Sequence, residues 1–465
     1  GTDHDLTSGG GGGGTFGGSI SSGKLAIGTG TDTIGNFVDA LTESNSIYIG
    51  SNPASTTSSA DNNVALGIST LDAVTTGDRN TAVGFRAATD ITTGQDNTAI
   101  GKDAMYANTT SNYSTAVGSQ AMGTLDGAGQ STAVGYYAMH AHSGDNNVGI
   151  GAYALRKGSN AYNVAVGVSA MTNVSGGAGG VAIGYQSGYH PTGNYNTWVG
   201  YNAGFGTAAA SAGQNVGVGY EALMNVSSGI ENTVMGYLAG RSVTSGHYNT
   251  ILGSRAADAI TTTTGTVAIG FAALGAGAGS NYDVAIGYEA HRDGANRGVF
   301  IGLQAGAATT GGGTIIGSEA GETNTVGNLT LVGYEAGKLV SGTADSMVAV
   351  GHGVSTNASG TYHTMVGFQA GNQLKGNVNT GLGYKVLQSG TNAIHQSNIA
   401  IGYQTMQGGN YSVTNQDNVA IGVNALRYAS GSSYNVVIGQ ALFAQDQTST
   451  QVVAIGYRAL SGATS

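Results

Sequence analysis

Apolar residues recur along this chain in a pattern too short for a helix and too regular for chance. An aliphatic residue or Met stands directly before the central glycine in all 26 copies of one repeat, as in Val83-Gly84, Ile100-Gly101 and Ile455-Gly456. Two positions before that residue stands Val, Ile, Leu or Thr every time. The position between them is usually Ala; where it is not, it is still mostly apolar, as at Tyr48, Trp198, Phe300 and Leu331. Strand side chains alternate between faces. Each copy therefore predicts a three-residue strand that is apolar on both faces, and strands of that kind are buried on both sides. The glycine is expected to end the strand. Asn precedes the strand in 13 copies, where it suits a turn. A second apolar stretch, such as Tyr220-Glu221-Ala222-Leu223, predicts another short strand. Segments such as Thr92-Thr93-Gly94-Gln95-Asp96 have turn composition.

Of the 25 spacings between the central glycines, 12 are 17 residues. A unit this small cannot bury enough to order itself, so the copies must stack and share ladder hydrogen bonds. The predicted fold is all-β: a parallel β-solenoid (β-roll) of about 26 turns, one per repeat, roughly 120 Å long at the usual strand spacing. One strand face is expected to fill the coil. The other, the column Ala82, Ala99, Ala116 and Ala133, is expected to lie at the axis of a parallel homotrimer. A dimer or a filament would bury the same stripe.

Three regions follow. Residues 1–24 lack the repeat and carry Gly9 to Gly14, so they read as a linker or attachment segment. Residues 25–60 hold two irregular opening repeats, with Pro53 where Ala is usual. The regular repeats run over 61–465, with longer coils near Gly219, Gly402 and Gly422.

Composition narrows the function. The 465 residues include 83 Gly and no Cys, and the net charge is −10. Without Cys there is no disulfide, thiolate nucleophile or Cys-ligated zinc. The acidic balance and the lack of a basic cluster argue against nucleic acid. No run is long and apolar enough for a membrane span, so no membrane insertion is expected.

The Asn-Thr/Val-Ala-Ile/Val-Gly motif, as at Asn418-Val419-Ala420-Ile421-Gly422, resembles the head repeats of trimeric autotransporter adhesins. With its longer period and Gly-Tyr-x-Ala continuation, it is also similar to repeat-rich tail-fibre proteins of bacteriophages. The resemblance covers about residues 61–460. It implies a trimeric structural fibre in a virion or at a cell surface, whose partners are itself and a host cell-surface glycan or protein receptor. It also implies, in the phage case, a chaperone cleaved off after a Ser such as Ser465. A bacterial adhesin or extracellular filament is the alternative, and an ice- or glycan-binding solenoid a more distant one.

Candidate chemistry is sparse. No nucleophile elbow, phosphate loop or zinc-protease motif occurs in a suitable context, so neither an enzyme nor a cofactor is expected. His140 and His142 would share one side of an extended chain and are the candidate metal ligands, since imidazoles around a trimer axis suit a transition metal. Asp145-Asn146-Asn147 is a weaker calcium candidate. Tyr185, Tyr201, Tyr220 and Tyr237 are candidate glycan contacts, alternatively a packing ladder. Glu221, Glu289, Glu319 and Glu335 share one column and read as a solvated face. The Thr81, Thr98, Thr115 and Thr132 column is expected inside, on the face of the aliphatic residues.

Overall fold

The computed structural model describes residues 40–459, apart from 44, 51–58, 125–128, 175, 191–192, 208–210, 278, 280, 295–296, 325–326, 341–345, 390–393, 409–413, 429 and 441–449. The Gly-rich residues 1–24, Pro53 and Ser465 lie outside this set, as does the copy around Gly28. The chain divides into two compact units, Gly1–Gly180 and Val181–Ser465.

Both units are all-β, with no helix among the described residues. In the first, Ala40–Glu43 pairs antiparallel with Ser46–Ile49. From Ser46–Ile49 to Val164–Val166, successive repeats then pair in parallel. In the second, the same parallel ladder runs from Val181–Ile183 to Val453–Tyr457. The register matches equivalent positions, as in Thr98↔Thr115, Ala99↔Ala116 and Ile100↔Val117. The parallel β-solenoid is thus present, with about 21 turns among the described residues, against the 26 expected, at a spacing near 17 residues. Two longer coils of the second unit use their extra residues to add a strand: Ile394–Gln396 pairs in parallel with Thr414–Gln416.

The central glycines have a strict steric reason. Gly101 has φ +133°, and a Cβ there would come within 2.6 Å of the Gly118 carbonyl oxygen. That backbone region is open essentially to glycine alone. From Thr380–Tyr384 to Val453–Tyr457 the strand does not end at the glycine as expected but runs one residue past it. In the earlier copies the stretch after the glycine is a turn, not the second strand read from Tyr220–Leu223. Glu221 and Leu223 both have positive φ, 52° and 50°, and two left-handed residues with one between them cannot continue an extended chain.

The faces are opposite to those expected. Ala82, Ala99, Ala116 and Ala133 are fully buried inside the single-chain coil. The flanking positions point outward: Ile100 is 40% exposed, Ile183 42% and Met235 50%. Thr81, Thr98, Thr115 and Thr132 are likewise only partly buried. The reason is the narrow interior of a 17-residue coil. Only the strand centre points into it, where a small residue, or a large one such as Phe300, is buried, and the β-branched and aliphatic residues on either side are left outside. The alanine column therefore cannot be an oligomer axis.

A polar ladder closes the interior. The Asn97 side-chain oxygen accepts the Ser114 N–H at 3.0 Å, and its amide donates to the Ser111 carbonyl. Asn215, Asn232 and Asn249 repeat this coil after coil. Buried amides need such partners. These asparagines are interior, and the left-handed turn residue is the one before them, such as Asp96 with φ 59°.

Candidate functional surface

Three outward columns run side by side on the strand ladder. They are the β-branched column of Thr81 and Thr98, the aliphatic column of Val83 and Ile100, and the position just after the glycine. The alternation that buries Ala82 sends all three outward. In the second unit the third column is aromatic over long stretches. Tyr185, Tyr201, Tyr220 and Tyr237 stack at centroid distances of 5.1, 5.2 and 5.3 Å, with planes within 22° of parallel. Tyr334, His352, Phe368, Tyr384 and Tyr403 form a similar run. Stacking places the ring faces against one another and leaves mainly edges to solvent. Sugars pack on ring faces, so this ladder is a poor glycan platform and a good stiffening element.

The proposed metal pair does not form. His142 is buried within the coil, at 1% exposure. His140 lies in a turn and packs its ring on Tyr137 at 4.5 Å. The same-side rule for residues two apart holds only for extended chain, and residues 136–140 turn. His142 Nδ1 accepts the Gly144 N–H at 3.3 Å. Burial pushes the His142 imidazole down to about 4, which keeps it neutral. His291 and His395 are also pushed down to about 4 by burial. Asp145, Asn146 and Asn147 diverge: Asn147 is buried, and its amide donates to the Gly144 carbonyl at 2.7 Å. Among the described residues no group of three or more His, Asp or Glu could hold a metal ion.

The glutamate column is paired rather than simply solvated. Glu221 meets Arg241 at 2.9 Å and Glu289 meets Arg292 at 3.0 Å. Lys338 bridges Glu319, Glu322 and Glu335, and hydrogen bonding to Glu319, above all, holds its ammonium above the usual lysine range.

The sequence reading missed another set of residues. Five positions before the central glycine lies a left-handed corner residue. There Tyr113, Tyr162 and Tyr195 are 61%, 68% and 66% exposed, with φ of 57°, 65° and 60°. The sequence signal was a bulky ring at a position where other copies carry Asn62, Asn146 or Gly179. Beside Tyr113 is an open depression of about 360 Å³, lined also by Ser111, Asn112, Gly129, Gln130 and Asp145.

No helix among the described residues is long and apolar enough to cross a membrane. No protein-family model matches the chain, and no curated protein matches it either.

Proposed function

We propose that this chain is a structural, adhesive fibre component that associates with copies of itself in parallel, most simply as a homotrimer. The supporting observation is the outward face of the ladder. It carries a continuous band of β-branched, aliphatic and aromatic residues, many of them around two-fifths exposed. Large contiguous apolar faces on soluble proteins mark interaction sites. A face repeating every coil is complementary to an identical face in register. The resemblance to phage tail fibres favours reach to, and attachment on, a host cell from a virion. A cell-surface adhesin or extracellular filament uses the same physics. Static light scattering on the intact chain tests this: the expected mass is three chains, falling to one in an Ile100→Lys/Val117→Lys variant. A wild-type mass of one chain overturns it.

A second reading gains from the reversed faces. The Thr column, expected inside, lies outward beside the aliphatic column, as a flat ice-binding array requires. Thermal hysteresis of the wild-type chain, lost in Thr98→Lys/Thr115→Lys, would favour that reading over self-association.

A further inference from the structure

We propose that the corner around Tyr113 is a binding site for a neutral carbohydrate, a hexopyranoside whose apolar face packs on the Tyr113 ring. Seven coils carry Tyr at this corner, from Tyr113 to Tyr434, all left-handed and all more than half exposed. Glycine and asparagine adopt that conformation readily; an aromatic residue does not. Burial does not explain the choice, because the rings remain in solvent. Backbone geometry does not explain it either, because Asn62, Arg79, Gln130, Glu231 and Val378 serve the same left-handed corner elsewhere. Seven exposed rings at a corner that accepts many other side chains, one of them beside a depression, point to a ligand that uses the ring.

The Tyr113 corner supplies the rest of a sugar site. Its 360 Å³ depression is at the small end of ligand cavities, which run from about 300 to 1,000 Å³. Asp145 gives one carboxylate oxygen to the Gly129 N–H at 2.8 Å, and an ionised carboxylate has lone pairs for further hydroxyl donors. Asn112 and Gln130 bring amide groups to the same wall. An aromatic ring beside a carboxylate and amides matches the amphipathic face of a pyranose. The Asp145 charge and the net charge of −10 disfavour phosphate, acidic sugars and nucleic acid. Tyr282 is less suited than Tyr113, because its ring lies against Gly265 and the Arg297 guanidinium sits 5.0 Å from its centroid. The site deepens the adhesive reading above but does not depend on the oligomeric state.

The test is titration of the intact chain with cello-, chito-, malto- and mannohexaose, read by saturation-transfer NMR and calorimetry. At least one of them is expected to bind. Tyr113→Asn should then weaken that binding about tenfold or more while leaving the thermal midpoint unchanged or raised, and Tyr113→Trp should retain it. Absence of binding by all four sugars overturns the proposal, as does an affinity within about twofold of wild type in Tyr113→Asn. Light scattering on the same sample reports the assembly separately, so loss of the sugar site and loss of the fibre reading are distinguishable.

Discussion

The coils of residues 98–139 and those of residues 298–337 fill the same narrow interior in opposite ways. In the first, the strand centre is small (Ala99, Ala116, Ala133), and the residue four after the glycine is large (Met105, Met122, Met139). In the second, the strand centre is large (Phe300, Ile315, Leu331), and the later position is Gly306, Gly321 or Gly337. A Cβ on Gly321 would come within 2.9 Å of Ile315, and one on Gly337 within 2.8 Å of Leu331. Trp198 follows the same rule, because Gly204 sits directly against its indole. In these two runs the interior trades one side chain against the other, although Ala82 with Ala88 and Ala182 with Gly188 are small at both positions. Close-packed cores have little room for two large ones.

Acidification should separate the two units most strongly. His142 is the one imidazole of the first unit pushed down to about 4; the second has both His291 and His395. These groups are neutral when folded and take a proton more readily when unfolded. Their contribution is therefore fully present above about pH 6.5 and is lost progressively as pH falls towards 4. Each shift corresponds to roughly 3 kcal/mol. Hydrogen exchange at pH 7 and pH 4.5 should show the second unit, which also holds the lowered His363, losing more than the first. Equal losses would remove the neutral-histidine account.

Phe300→Ala should cost about 3–5 kcal/mol through the cavity it opens. The sharper experiment converts the second arrangement into the first: Phe300→Ala/Gly306→Met should recover more than half of that loss. Met105 already adopts the left-handed conformation this needs, with φ 51°. A double mutant no better than Phe300→Ala in urea unfolding would break the volume rule. Asn232→Ala tests the polar side of the same interior. It strands the Asn249 N–H, which now donates to the Asn232 oxygen at 3.0 Å, and the Gly246 carbonyl, which accepts from its amide at 2.8 Å. The expected loss is about 2–3 kcal/mol.

The period, the short strands, the parallel stacking and the glycine requirement were all legible in the sequence, because each leaves a mark in every copy, whereas the strands that run past the glycine from Thr380–Tyr384 onward were not. The sense of the faces was not. A strand apolar on both sides gives alternation no sign, and the larger aliphatic face was assigned to the interior by size. Two signals pointed the other way. Thr81 and Val148 exchange freely in one column, which suits a partly wet position better than a dry one. Trp198 and Phe300 coincide with Gly204 and Gly306, which places strand centre and turn in one cavity. The His140 and His142 pairing failed because it assumed extended backbone where the chain turns. The Tyr113 corner was hidden because a left-handed φ does not show in a single tyrosine.

The smallest expected effect is the most exact probe of the comparison. Met122→Leu keeps nearly the same volume at a left-handed position where Leu155, Leu223 and Leu274 already stand, with φ of 47°, 50° and 53°. If the interior senses summed volume, the change should cost less than about 1.5 kcal/mol. Ala116 faces the same interior, so Ala116→Leu adds volume that nothing nearby gives up, and should cost more than Met122→Leu does. Thermal unfolding of the two variants side by side decides the matter. If Met122→Leu is the more damaging, the coil reads side-chain shape at each position rather than the total it must hold, and the two regions are different cores rather than two solutions for one.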